Sequence, residues 1–222
     1  MSIFKVSTNQ KTFVAELLGT FIVVVSATGS IVFDAKMNGA LGIPFIAFTP
    51  FIGVAVGVYA FAKISMAHFN PAVSVGFLIT RHITPKILLY YLGAEITGAL
   101  LGSLFVRHSI GNLANLGANY PNYSFSIPII FAIEMLATAL LMAVILLVVR
   151  TKGLRGLSGL AIGGIVGLDI FFLSFISGAS MNPARSLAPA LLSGVIDDLW
   201  LYWSATFVGA SIVAFIYTSK FH

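Results

Sequence analysis

The sequence predicts an all-α membrane protein, with six transmembrane helices plus two re-entrant half helices arranged as an inverted repeat. Three observations carry that prediction. The 222 residues are 59% hydrophobic and only 9% charged, with a mean hydropathy of +1.02, which is more apolar surface than a soluble domain can hide. Six apolar runs are long enough to cross a bilayer. The tripeptide Asn-Pro-Ala occurs twice, at Asn70-Pro71-Ala72 and Asn182-Pro183-Ala184, each time opening an apolar run too short to cross.

In chain order, a polar start (Met1 to Lys11) precedes the first run, Thr12–Phe33. That run is long and lacks a small-residue cleavage pattern, so it reads as a retained span and not as a signal peptide. Gly42–Ile64 is the second span, followed by the short stretch Pro71–Ile79 and the third span, Lys86–Val106. Residues 107–126, rich in Asn, Gly and Tyr, form an outer linker. The second half repeats the order with Ile127–Val149, Gly156–Ser177, the short Pro183–Leu192 and Leu199–Thr218. Asn favours the N-cap, and Pro at the first helical position gives up only an N–H that has no partner there anyway. Both short stretches therefore read as half helices beginning at membrane depth. The whole chain, 1–222, is one membrane domain with repeats at about 11–106 and 127–219. Three crossings per half is an odd number, so the repeats are inverted and the half helices enter from opposite faces.

Charge sets the orientation. With both termini cytoplasmic, Lys5, Lys11, Lys63, Arg81, Lys86, Arg150, Lys152, Arg155 and Lys220 lie inside, and Lys36, Arg107 and Arg185 lie outside. The net charge of +5 is explained by this asymmetry and calls for no nucleic-acid partner. The chain has no Cys, and no metal-ligand spacing, nucleophile elbow or phosphate loop is present, so neither an enzyme nor a cofactor is expected. Glycines such as Gly98, Gly163 and Gly167 sit within spans, where they permit close helix packing.

The halves match further. Ala15-Glu16-Leu17-Leu18-Gly19-Thr20 opens the first, and Ile133-Glu134-Met135-Leu136-Ala137-Thr138 opens the second. Two Asn-Pro-Ala boxes in an inverted repeat, with Arg185 three residues after the second Asn, resemble the aquaporin (major intrinsic protein) family from Glu16 to Trp203. The resemblance implies a passive channel for water in the cell membrane, with a homotetramer in the lipid bilayer and one pore per chain. It implies that Asn70 and Asn182 donate hydrogen bonds to the permeant beside their capping role, and that Arg185 is the selectivity-filter arginine. Glu16 and Glu134 are expected to accept backbone N–H groups of the irregular segments leading into the half helices. His68 corresponds to a pore-lining His of the cytoplasmic half.

Gapless counting from the boxes puts Ile170 and Ala179 in the filter beside Arg185. The fourth filter position is aromatic in the family, but counting reaches Pro50, with Phe51 next to it. Either a helix distortion at Pro50 turns Phe51 inward, or the filter lacks its aromatic. Ser186 and Ala190 stand where glycerol facilitators carry Asp and a basic residue, and Tyr202-Trp203 resembles the aromatic-Trp pair of water channels. An interfacial aromatic belt is the other reading of that pair. Glu95 occupies a place where the family commonly has Gln, and Asp169 adjoins Ile170; the sequence assigns neither a role. Two alternatives stand beside the water channel. One is a pore that also passes glycerol or other small neutral solutes, and the other is an ion- or proton-coupled transporter in which the buried acids titrate.

Overall fold

The computed structural model describes residues 8–221, so Lys5, counted above among the inner charges, lies outside the described residues. Eight α-helices make up the two halves. The first holds α1 (Thr8–Lys36), α2 (Gly42–Ser65), α3 (Pro71–Ile79) and α4 (Pro85–Ser109). The second holds α5 (Ile127–Arg150), α6 (Ser158–Ser177), α7 (Pro183–Ser193) and α8 (Leu199–Phe221). Six of these helices are long and apolar enough to cross a membrane, while α3 and α7 are too short. The spans extend a few residues past the apolar runs because helices propagate into polar ends. Residues Lys152–Leu157 form a 3₁₀ turn that leads into α6 at Ser158.

Small residues set the helix crossings. A Cβ on Gly98 would run into the backbone carbonyl of Leu17, and one on Gly209 would run into that of Met135. These are equivalent crossings, α1 with α4 and α5 with α8, each one residue beyond the buried acid of its half. Between the halves, Gly159 and Gly163 of α6 lie against the carbonyls of Ala55 and Phe51 of α2. In a bilayer, where lipid is as apolar as the side chains, such close backbone approach supplies much of the helix association.

The linker between halves is ordered by a short left-handed turn. Ala114, Asn115 and Leu116 have φ of 47, 50 and 58°, followed by Gly117 at 70°. Gly117 lies so close to Thr28 of α1 that a side chain there has no room. The turn is thereby clamped over α1 and projects toward α7.

Candidate functional site

Each half helix is launched by its Asn-Pro pair. Asn70 has extended backbone (φ −159°), and its Oδ1 accepts from Ala72 N at 2.9 Å. Asn182 does the same for Ala184 N at 3.0 Å and Arg185 N at 3.3 Å. Pro71 and Pro183 fill the first helical positions, where the missing N–H costs nothing. Ala72 and Ala184 are fully buried, small enough to let the half helices sit against their neighbours.

The caps use only the amide oxygens, and the amide nitrogens do something else. Asn70 Nδ2 donates to Met181 O at 2.8 Å, and Asn182 Nδ2 donates to Phe69 O at 2.8 Å. Each Asn thus ties its own helix start to the loop of the opposite half. Each NH₂ keeps a second hydrogen that this cross-link does not use.

The loops themselves are strained. Met66, Ala67 and Phe69 in one, and Ala179 and Met181 in the other, have positive φ without being glycine. The turn direction aims successive N–H groups at a single carboxylate, forming a backbone nest for an anion. His68 N and Phe69 N donate to the two oxygens of Glu16 at 3.0 and 2.7 Å. Ser180 N and Met181 N donate to the two oxygens of Glu134 at 3.2 and 2.6 Å. Both acids are fully buried. Hydrogen bonds of this kind offset the strain of the left-handed residues, which costs about 1 kcal/mol or more each.

Other residues brace the loops in pairs. Tyr91 OH donates to Ser65 O in the first half, and Tyr202 OH donates to Ser177 O at 2.6 Å in the second. Tyr202 is fully buried, so it belongs to this bracing and not to an interfacial belt. Ser180 and Ser186 hydroxyls bond to each other, and His68 Nδ1 meets Ser74 Oγ at 2.8 Å in the corresponding place.

Between the loops runs a narrow cavity lined by both Asn residues, His68, Arg185, Ile170, Ala179 and Pro50. An outer vestibule lies beyond it. Ala27, Ile170, Ala179 and Arg185 border both spaces and so mark the neck between them. Pro50 reaches the inner cavity, but Phe51 does not. Helix α2 runs unbroken through Pro50, so consecutive residues stay about 100° apart around its axis. Phe51 therefore points to α6, where it packs near Gly163 and Gly167 and lines a lateral apolar groove. The expectation that a distortion turns Phe51 inward is corrected, and the inner cavity has Pro50 at that place.

Sequence reasoning missed what holds Arg185. Its Nη1 donates to Gly117 O at 3.0 Å and to Asn119 Oδ1 at 2.6 Å. Asn119 also accepts from Ser186 Oγ at 3.0 Å and donates to Gly178 O at 2.9 Å. One linker residue thus connects the arginine, its helix and its loop, while the rest of the guanidinium is left for whatever occupies the cavity. The only signal in the sequence was the Asn- and Gly-rich character of the linker. Nearby at the surface, Tyr123 donates to Asp198, and that bond pushes the phenol up to about 12, keeping it neutral. Glu95 and Asp169 are buried, and Asp169 lies outside the lining of both spaces, its Oδ2 unpartnered among the described residues. Among those residues no group of His and acids is placed to hold a metal.

The chain matches the family model described as Major intrinsic protein over residues 3–217. It is 37% identical over 207 residues to a protein of Arabidopsis thaliana named "Probable aquaporin NIP4-2", covering 92% of this chain and 72% of that one. It is 36% identical over 213 residues to "Aquaporin NIP3-1" of the same plant, covering 92% of this chain and 65% of the relative. Among solved structures it is similar to the aquaglyceroporin from Plasmodium falciparum, with a TM-score of 0.77, 25% identity, and coverage of 95% and 96% of the two chains.

Proposed function

This chain belongs to the major intrinsic protein family, and from that premise we propose that it conducts water passively through the cavity between its two Asn-Pro-Ala boxes. Members of this family are membrane channels and not enzymes. The observation that carries the water reading is the crossed pair of asparagine amides. One hydrogen of each NH₂ is fixed on the opposite loop's carbonyl, which orients the second toward the cavity. A water whose oxygen accepts from both donors must turn its own hydrogens away along the pore. That orientation interrupts the hydrogen-bonded chain through which a proton would hop. The N-termini of α3 and α7 meet at the same place, and their positive ends repel cations. Arg185, held by the linker at the neck, adds a fixed positive charge opposite the apolar wall of Ile170.

A second reading is favoured by one feature. With Phe51 outside both spaces, the neck of Ala27, Ile170, Ala179 and Arg185 carries no aromatic ring, which suits glycerol or another small neutral solute beside water. The aquaglyceroporin similarity points the same way. A homotetramer in the plasma membrane, with both termini cytoplasmic, completes the proposal; the basic residues grouped at one end of the six spans support that orientation.

Stopped-flow light scattering on proteoliposomes tests both readings. Fast, weakly temperature-dependent shrinkage under sucrose is the expected result, and rapid re-swelling under glycerol selects the mixed-solute reading. Arg185→Val is expected to raise glycerol entry and ion leak about tenfold, corresponding to about 1.4 kcal/mol off a barrier. Folded protein giving no flux above empty vesicles overturns the channel reading.

A further inference from the structure

One end of the molecule carries no acidic side chain. The chain has seven Asp and Glu residues. Glu16, Glu95, Glu134 and Asp169 are buried within the spans, and Asp34, Asp197 and Asp198 stand at the end that holds the linker between the halves. The opposite end, where α1 begins and α8 finishes, holds every described Lys and Arg except Lys36, Arg107 and Arg185, all of them exposed. Orientation in a membrane is set by Lys and Arg and is little affected by acids, so it does not call for a face without carboxylates.

The two ends also differ in how their cations are used. At the linker end, Lys36 Nζ donates to Ile110 O at 3.3 Å, and Arg107 Nη1 donates to Leu192 O at 3.5 Å. At the acid-free end, a row of rings gathers cations instead. Tyr217 on α8 lies 6.3 Å from the ring of His82, just after α3, and 5.1 Å from that of Phe221. Thr218 Oγ1 donates to Ile79 O at 3.5 Å, which ties α8 to the end of α3. Arg150, the last residue of α5, places its Cζ 3.4 Å from the centroid of Phe221. Cation–π attraction restrains the guanidinium there. The ring takes only its face, so the N–H edge can fork onto two phosphate oxygens. Lys220 adjoins Phe221, Arg81 adjoins His82, and Lys152 follows Arg150 by two residues.

Apolar surface continues from these cations toward the membrane. Leu147, one turn before Arg150, and Ile216, one turn before Lys220, are both exposed. Rings and long basic side chains at helix ends sit at the level of lipid headgroups, with the apolar turns beside the acyl chains. A phospholipid matches this surface along its length. The missing acids decide which kind. A zwitterionic headgroup brings an ammonium into a region of cations where no carboxylate can receive it, whereas a headgroup of net negative charge brings only what the cations attract.

We propose that the ends of α5 and α8 form a binding surface for anionic phospholipid, with the headgroup phosphate on Arg150 and Lys220 and an acyl chain along Leu147 and Ile216. Phe221 is the platform that holds Arg150 in place. The surface is separate from the pore, and its occupation does not depend on what the pore conducts.

The test is native mass spectrometry of the purified full chain, released from mixed micelles holding equal amounts of phosphatidylglycerol and phosphatidylcholine with matched acyl chains. Wild type is expected to retain phosphatidylglycerol at least about fivefold more often, the factor that one basic residue near an anionic surface supplies. Joint replacement by Arg150→Gln and Lys220→Gln is expected to bring the two lipids near parity, while Lys36→Gln at the other end keeps the wild-type preference. Phe221→Leu leaves every charge in place and is expected to lower the preference about twofold. These side chains are exposed, and circular dichroism checks that each variant is folded. As a second measurement, the melting temperature of wild type should rise more with phosphatidylglycerol than with phosphatidylcholine, and that of the double variant should not. Equal retention of both lipids by wild type overturns the proposal, as does a double variant that keeps the preference. An equal loss in Lys36→Gln overturns it too, because attraction would then follow total charge and not this surface. Displacement of the lipid by excess glycerol phosphate, which has the phosphate but no acyl chains, would assign the site to a soluble anion and overturn the lipid assignment.

Discussion

At the residue scale, each loop depends on an acid whose two oxygens are both committed. Glu134 spends both oxygens, one on Met181 N and the other on Ser180 N and Ser177 Oγ. An amide at that position has a single acceptor oxygen and turns two donors toward a region already full of donors. Glu134→Gln is therefore expected to leave at least one buried N–H unpaired, costing about 1–3 kcal/mol. The melting temperature of the purified protein should fall by roughly 2–10 °C, and water flux should fall with it as the loop loosens. Unchanged melting would show that Glu134 does not support the loop. The sequence made Glu16 and Glu134 legible because they recur at matched positions in an apolar chain, where an acid needs a reason. Asn119 and Gly117 were not legible, because nothing local in a polar linker says that it will meet an arginine 66 residues away.

At the element scale, the half helices are written in local chemistry, whereas the way they are held is not. Asn followed by Pro dictates a helix start wherever it occurs, and α3 and α7 begin at these residues. The long helices locate each other through small residues instead. Gly98→Ala and Gly209→Ala each place a methyl group into a carbonyl of the partner helix, so each is expected to destabilise by about 1–3 kcal/mol. Gly164 has open space beside it, so Gly164→Ala should be neutral by comparison. Thermal denaturation of the three variants side by side checks this, and equal melting of all three would refute close backbone packing at the crossings. The Pro50 question belongs here too. Spacing alone left Pro50 and Phe51 open because a proline can kink a helix, but α2 continues unbroken through it. Its packing against the glycines of α6 fixes the rotation that keeps Phe51 outside the cavity.

At the scale of the whole molecule, orientation is the property to check, and the chain's lack of cysteine makes that direct. Asn38 and Lys152 are exposed in turns at opposite ends of the spans. With termini inside, Asn38→Cys should react with a membrane-impermeant maleimide on intact cells, and Lys152→Cys should react only after permeabilisation. The reverse pattern would invert the proposed topology. The sequence by itself determined the class of protein, the number of crossings, the two half-helix starts and the family, because apolar length, N-cap chemistry and repetition are local properties that survive without a partner. The tertiary structure alone decided which residue beside Pro50 faces the cavity, how each asparagine amide crosses to the other half, and what anchors Arg185. Those depend on groups from distant parts of the chain meeting within about 3 Å, where a helix rotation of one residue changes every partner.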